Sequence, residues 1–218
     1  MNGAAPPGSI DMGRMASSAT PLEILLVEDH PPDVQLAVEA LRQTAEPNRL
    51  HLVKDGEEAI AFLRKEPPFD GAPHPDLVLL DLSLPRKDGR EVFQEIRKVE
   101  VRPPVIILSN DPGERAGRYL HAGAADFIVK GDMRQLTHAV RTVVSHRAPL
   151  RKLSPRQIEV LRHIANGHPT RDIALRLQVS GKTVEAHRAE LMRRLEIRTV
   201  AGLVRYALKA CLVDLDPE

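Results

Sequence analysis

The sequence predicts an α/β domain built on a five-stranded, doubly wound parallel sheet, followed by a small all-α domain. Three observations carry that expectation. Five apolar runs of strand length alternate with stretches of helical spacing up to about residue 146. From Leu153 onward only short, capped helical stretches follow. The charge also changes sign along the chain. Residues 149–218 hold 13 Lys/Arg against 8 Asp/Glu, a net of +5, whereas residues 1–148 hold 18 against 22, a net of −4. An acidic front and a basic back imply modules with different partners, the second suited to a polyanion.

The strand runs are LEILLV (22–27), LHLV (50–53), DLVLL (76–80), PVIIL (104–108) and DFIV (126–129). Runs apolar on both faces suit a sheet covered by helices on each side. The first helical stretch, from Asp33, sets Val34, Ala37, Val38 and Leu41 on one face. The next carry Ala59, Ile60 and Leu63, then Val92, Ile96 and Val99, then Leu120 before Gly123, then Leu136, Ala139, Val140 and Val143. In the basic module, SPRQIEVLRHIANG starts at Ser154 as N-cap with Pro155 in the first turn and stops at Gly167. TRDIALRLQV is capped by Thr170, SGKTVEAHRAELMRRL by Ser180 and TVAGLVRYALKACLV by Thr199. Two of these, joined by a tight turn at Gln178–Gly181, have the shape of a helix-turn-helix.

The boundaries expected are a disordered segment over 1–20, the α/β domain over 21–146, a linker over 147–152 around Pro149, and the helical domain over 153–218. The first 20 residues lack the basic start and apolar stretch of a signal peptide, and Met12 or Met15 are candidate starts. No apolar run approaches the roughly 18 residues of a membrane span, so a soluble cytoplasmic protein without a membrane partner is expected. The single cysteine, Cys211, rules out an intrachain disulfide and a Cys-based zinc site.

Chemistry-bearing residues gather at the carboxyl ends of the strands, where a wound sheet has its functional crevice. Glu28 and Asp29 follow the first strand and Asp81 the third, and these strands are neighbours at the switch point. Three converging carboxylates repel one another unless a divalent cation or a proton offsets the charge, and Mg²⁺ suits an all-oxygen set. The fourth strand ends at Ser109 and the fifth at Lys130. One acid after a strand is ordinarily a helix cap or a loop residue; five such groups at the ends of four strands form a phosphoryl-accepting site. Asp81 attacks and the cations neutralise the transferred group. A phosphatase with an aspartyl nucleophile is excluded, because that class carries D-x-D-x-T after its first strand, whereas Asp81 follows the third and precedes Leu82–Ser83.

The segments ILLVEDHPPD, LVLLDLSLPRKDG, VIILSN and AGAADFIVKGD resemble the flavodoxin-like receiver domain of bacterial two-component response regulators over about residues 22–146. In detail they are similar to receivers paired with phytochrome-type histidine kinases. The resemblance implies that Asp81 takes phosphate from a sensor histidine kinase. It also implies that Asp29, Glu28, Asp81 and the backbone carbonyl of Ser83 hold Mg²⁺, and that Lys130 contacts the phosphoryl group. Ser109 and Phe127 would be the hydroxyl and aromatic that rearrange on phosphorylation. Two positions depart from the pattern: Gly131 stands where receivers carry proline after the lysine, and Asn110 where a small residue follows the hydroxyl. Ser83 and Asp111 occupy the variable positions that tune hydrolysis.

Residues 150–210 hold 13 cations and 5 acids, a net of +8 that favours phosphate backbones. On the helix from Ser180, Val184, Leu191 and Leu195 form the inward stripe. Lys182, Ala186, Ala189 and Arg193 lie opposite, bordered by Glu185 and Glu190. Two alanines between two cations leave a slim face that can enter a major groove. The motifs SPRQxEVLxxIAxG, xxDIAxxL and VSxKTVExHRxxLMRRL resemble the LuxR-type DNA-binding domain over about 150–213. That resemblance implies phosphate contacts from Lys182, Arg188, Arg193 and Arg194. It places Thr183, Glu185, Ala186 and Ala189 at the groove, with Glu185 suited to a cytosine amino group. The expected protein is a response regulator transcription factor acting on double-stranded promoter DNA, a homodimer when phosphorylated, with no enzymatic activity beyond its own phosphoryl acceptance and hydrolysis. The face near Arg115 and Arg118 and the first-and-fifth-helix face are candidate interfaces. The rival reading is a receiver serving as an interaction module or phosphate sink with little promoter output.

Overall fold

The computed structural model describes residues 9–11, 21–44, 47–99, 102–111, 116–131 and 133–213. The chain forms two compact units, Met1–Val144 and Ser145–Glu218. In the first, β2 (Leu22–Val27), β3 (Asn48–Val53), β4 (Leu77–Asp81), β5 (Val105–Ser109) and β6 (Asp126–Val129) form the expected parallel sheet in the order β3-β2-β4-β5-β6. Its helices are α1 (Pro31–Arg42), α2 (Gly56–Arg64), α3 (Gly89–Arg97), α4 (Ala116–His121) and α5 (Met133–Arg147), the last three residues of which belong to the second unit.

Strand alternation sends successive side chains into two apolar layers. Ile24, Leu26, Leu77, Leu79, Ile106 and Leu108 pack with Ala37, Leu41, Val140 and Val143 of α1 and α5. Leu25, Val27, Val78, Leu80 and Ile107 pack with Phe62, Val92, Ile96 and Tyr119 of α2, α3 and α4. β4 and β5 are buried along their whole length, including their last residues, Asp81 and Ser109.

Three expectations for this unit are corrected. The segment expected to be disordered contributes a strand, β1 (Ser9–Asp11), antiparallel to β3 with Ser9 opposite His51. A short extended segment suffices to satisfy the amides of an open sheet edge, and composition carries no trace of that. The rest of 1–20 lies outside the described residues. α3 ends at Arg97, leaving Val99 38% exposed. In α4, Tyr119 turns inward and Leu120 is 44% exposed, a shift of one position around a short helix.

The second unit contains a 3₁₀ turn (Ala148–Lys152), α6 (Pro155–Ala165), α7 (Thr170–Arg176), α8 (Gly181–Arg194) and α9 (Val200–Lys209). Val160, Leu161, Ile173, Val184, Leu191, Leu203 and Ala207 form its core. Ser154 closes a full capping box with Gln157, and Ser180 and Thr199 accept from the backbone as expected. Thr170 does not cap α7. The extended Pro169 is the N-cap and its carbonyl takes the first helical bonds from Asp172 and Ile173. The 147–152 segment is not an open linker. Leu150 is buried in this unit's core, and Arg147 donates to the Ala210 carbonyl at 2.9 Å. Between α7 and α8, Gln178 turns the chain at φ 53°, and the Arg156 guanidinium donates to the carbonyl of Leu177 at the end of α7. Among the described residues no helix is long and apolar enough to cross a membrane.

Candidate functional site

Val27 of β2 lies opposite Leu80 of β4, so Glu28 and Asp81 come level where the two strands end. Asp29 joins them, and one carboxylate oxygen from each of Glu28, Asp29 and Asp81 lies within 4.8 Å of the others. Glu28 and Asp81 are 1% and 2% exposed, whereas Asp29 faces solvent. Lys130 follows β6, its N–H donating to the Ser109 carbonyl at 2.8 Å. Its Nζ lies 2.7 Å from Glu28 Oε2, 2.9 Å from Asp81 Oδ2 and 2.9 Å from Asp33 Oδ2.

The protonation balance follows from this crowding. Burial, reinforced by the Asp81 charge and opposed by Lys130, holds the Glu28 carboxyl above its ordinary value. Burial also works against the Lys130 ammonium, yet its bonds to Glu28, Asp33 and Asp81 hold it well above the usual lysine range. For Asp33 burial is outweighed by the hydrogen bond and charge of Lys130, and its carboxyl is held down. Lys130 thus stays charged amid an excess of carboxylates. The donor set is all oxygen, one oxygen from each of three carboxylates, two of them buried. Such a site fits a hard divalent cation.

The other expected residues border this cluster. Ser83 donates its N–H to Asp81 Oδ1 at 3.1 Å. Ser109 is buried, and its hydroxyl oxygen accepts from the Asp111 N–H at 3.1 Å. Phe127 is buried and stacked on Tyr119, ring centres 5.7 Å apart, and Tyr119 meets Phe93 edge-on. Three participants escaped the sequence reading. Asp33 registered there only as a helix start, although it stands four residues after Asp29, and Tyr119 was hidden behind Leu120. Arg86, at φ 61°, pins the loop after β4 to Asp55, the cap of α2.

On α8, Lys182, Glu185, Ala186, Ala189 and Arg193 are exposed while Val184 and Leu191 are buried, as the helical spacing implied. Thr183 is half-buried and held at the cap, its N–H donating to Ser180 Oγ. Arg188 is also half-buried, 4.0 Å from Glu185. Arg193 and Arg194 both bond Glu190, which their hydrogen bonds hold at a pKa of about 2. Arg194 also donates to the Lys152 carbonyl.

Residues 24–141 match the response regulator receiver domain. The chain belongs to the response regulators. Residues 151–207 match the bacterial regulatory proteins of the luxR family. A putative transcriptional regulator of Pseudomonas aeruginosa is 29% identical over 213 residues, 88% of this chain and 99% of that protein. Response regulator Rcp1 of Synechocystis sp. is 41% identical over 99 residues, 44% of this chain and 67% of that protein. The crystal structure of the phosphorylated cyanobacterial phytochrome response regulator RcpA has a TM-score of 0.51 and 38% identity, covering 58% of this chain and 93% of that one. This response regulator therefore joins a receiver to a LuxR-type helix-turn-helix, the architecture of a phosphorylation-controlled, DNA-binding transcription factor. A receiver of this architecture is consistent with chemistry on itself, its own phosphorylation and dephosphorylation.

Proposed function

We propose that Asp81 is the phosphoacceptor, that the site works with Mg²⁺, and that the donor is a sensor histidine kinase. The observation that carries this is the buried Asp81 carboxylate, 2.9 Å from Lys130 Nζ and within 4.8 Å of the Glu28 and Asp29 oxygens. An Asp81 oxygen attacks the phosphorus of a phosphohistidine, the P–N bond breaks with its electron pair leaving on imidazole, and an acyl phosphate forms. Glu28, Asp29, Asp81 and the Ser83 carbonyl would hold the cation, which would supply charge neutralisation for the transferred oxygens. Lys130 takes one phosphoryl oxygen and the Ser109 hydroxyl another. Movement of Ser109 and of Phe127 against Tyr119 passes the change to the surface of α4 and α5. The names of the receiver relatives, phytochrome response regulators among them, support a kinase of the phytochrome type.

The phosphorylated chain pairs with a second copy and sets two α8 helices into successive half-sites of promoter DNA. Lys182, Arg188, Arg193 and Arg194 contact phosphates, Thr183 and Ala186 lie at the groove wall, and Ala189 allows close approach beside Glu185. The test is promoter binding with and without acetyl phosphate and Mg²⁺. Lys182→Ala with Arg193→Ala is expected to abolish specific binding and flatten the salt dependence by about two phosphate contacts. Undiminished binding by the double variant contradicts the α8 assignment.

A further inference from the structure

We infer that Asp33 is a positioning residue for phosphoryl transfer, the anchor that keeps Lys130 in place while the other partners of its ammonium are engaged by the incoming charges. The inference rests on the phosphoacceptor reading of Asp81. The Lys130 ammonium has three N–H donors, and three carboxylates surround it at 2.7–2.9 Å: Glu28, Asp81 and Asp33. Two of them have other work. Glu28 belongs to the acidic set within 4.8 Å that suits a cation, and Asp81 is the oxygen source that becomes an acyl phosphate. Asp33 lies outside that set, on the first turn of α1, and bonds Lys130 through Oδ2. The exposed His30 approaches the same oxygen at 3.3 Å.

The backbone after Lys130 makes an anchor necessary. Gly131 sits at φ 100°, and a Cβ built there meets nothing within 4 Å among the described residues. Gly131 thus offers no side chain to pack beside the lysine, and its φ is one that a proline ring cannot adopt, so the residue after Lys130 lacks the stiffness of a proline. Leu36, Leu108, Ile128 and Leu136 line the floor beside the Asp33–Lys130 pair, an apolar surrounding in which a charge pair is stronger than in water. With Glu28 and Asp81 drawn away, Asp33 holds the ammonium over the acceptor oxygen and leaves it two donors for a phosphoryl group.

The full-length chain is assayed in two ways. Labelling by acetyl phosphate with Mg²⁺ is timed for wild type, Asp33→Ala and Asp33→Glu, with Asp81→Ala as control. Asp33→Ala is expected to slow labelling about tenfold or more, the loss of one charge-assisted hydrogen bond, and Asp33→Glu to recover part of it. Amide exchange is measured on the ion-free proteins. In Asp33→Ala the Lys130 amide, bonded to the Ser109 carbonyl, is expected to exchange faster while the amides of α2 and α3 do not change. Labelling and Lys130 exchange both at wild-type values in Asp33→Ala overturn the inference, as does faster labelling, which makes Asp33 a competitor. Label that persists in Asp81→Ala overturns the site reading itself, and the exchange result still judges the anchor.

Discussion

A Cβ placed on Gly89 would overlap the carbonyl oxygen of Asp81 and stand 2.7 Å from the Cα of Leu82. The first turn of α3 is thus seated directly on the end of β4, and the Gly89 N–H donates to the Leu82 carbonyl at 3.1 Å. Neither neighbour is a flexible side chain that can swing aside. Gly89→Ala is expected to cost about 1–3 kcal/mol, the range for overpacking a tight site, and to slow phosphoryl labelling by displacing Asp81. Urea denaturation checks the first part; a Gly89→Ala protein as stable as wild type contradicts the contact.

Removing the cation from the acidic pocket has a different signature. Lys130→Met leaves Glu28, Asp33 and Asp81 without their shared counter-charge and is expected to cost about 3–5 kcal/mol at neutral pH. The folded-state value of Glu28 lies above its ordinary 4.5, so the folded protein binds that proton more tightly than the unfolded chain. Its favourable contribution is present below pH 4.5 and lost as pH rises through the raised folded value. Lys130 lowers both the Glu28 and the Asp33 carboxyl, so without it both take up protons at higher pH than in wild type. The deficit of Lys130→Met is therefore expected to narrow as pH falls from neutral in urea titrations, and a deficit independent of pH contradicts the electrostatic account.

Arg193 and Arg194 are engaged by Glu190 on the exposed face of α8. A carboxylate in that position competes with DNA phosphates for the same guanidiniums. Glu190→Gln is expected to tighten non-specific DNA binding several-fold and to steepen its salt dependence, since more counterions are released per complex. Fluorescence anisotropy across a salt series reads both; weaker binding by the variant shows instead that Glu190 orients the arginines.

Tyr206 donates its hydroxyl to the His146 carbonyl at 2.9 Å. Burial, partly offset by the Arg147 charge, pushes its pKa to about 12 from an ordinary 10.0. A raised folded-state value means stability that is complete below pH 10 and lost as pH climbs through 12. The stability advantage of wild type over Tyr206→Phe is expected to hold constant up to pH 10 and to shrink from there to pH 12. An advantage unchanged over that window contradicts the buried-phenol assignment.

The sheet was legible in the sequence because β4 and β5 are apolar on both faces and the polar residues that close them, Asp81 and Ser109, stand out against that background. The same contrast exposed Glu28, Asp29 and Lys130. Asp33 was not legible as part of the site. It is one acid in the first turn of a helix, where acids are common, and only the three-dimensional approach of β6 to α1 gives it Lys130 as a partner. Tyr119 was missed because in a six-residue helix the period leaves two adjacent residues equally eligible for the buried face. The β1 strand left no signal because three residues are too few to display the alternation that marks a strand. In the helical unit the caps at Ser154, Ser180 and Thr199 were readable from side-chain chemistry, whereas Pro169 caps α7 through its carbonyl.

Labelling of wild type and Asp81→Ala with a radioactive small phosphodonor in the presence of Mg²⁺ tests the central claim most directly. The wild-type chain is expected to take up one acid-stable, base-labile phosphoryl group and Asp81→Ala none. Equal labelling of the two proteins, or none of the wild type, contradicts it.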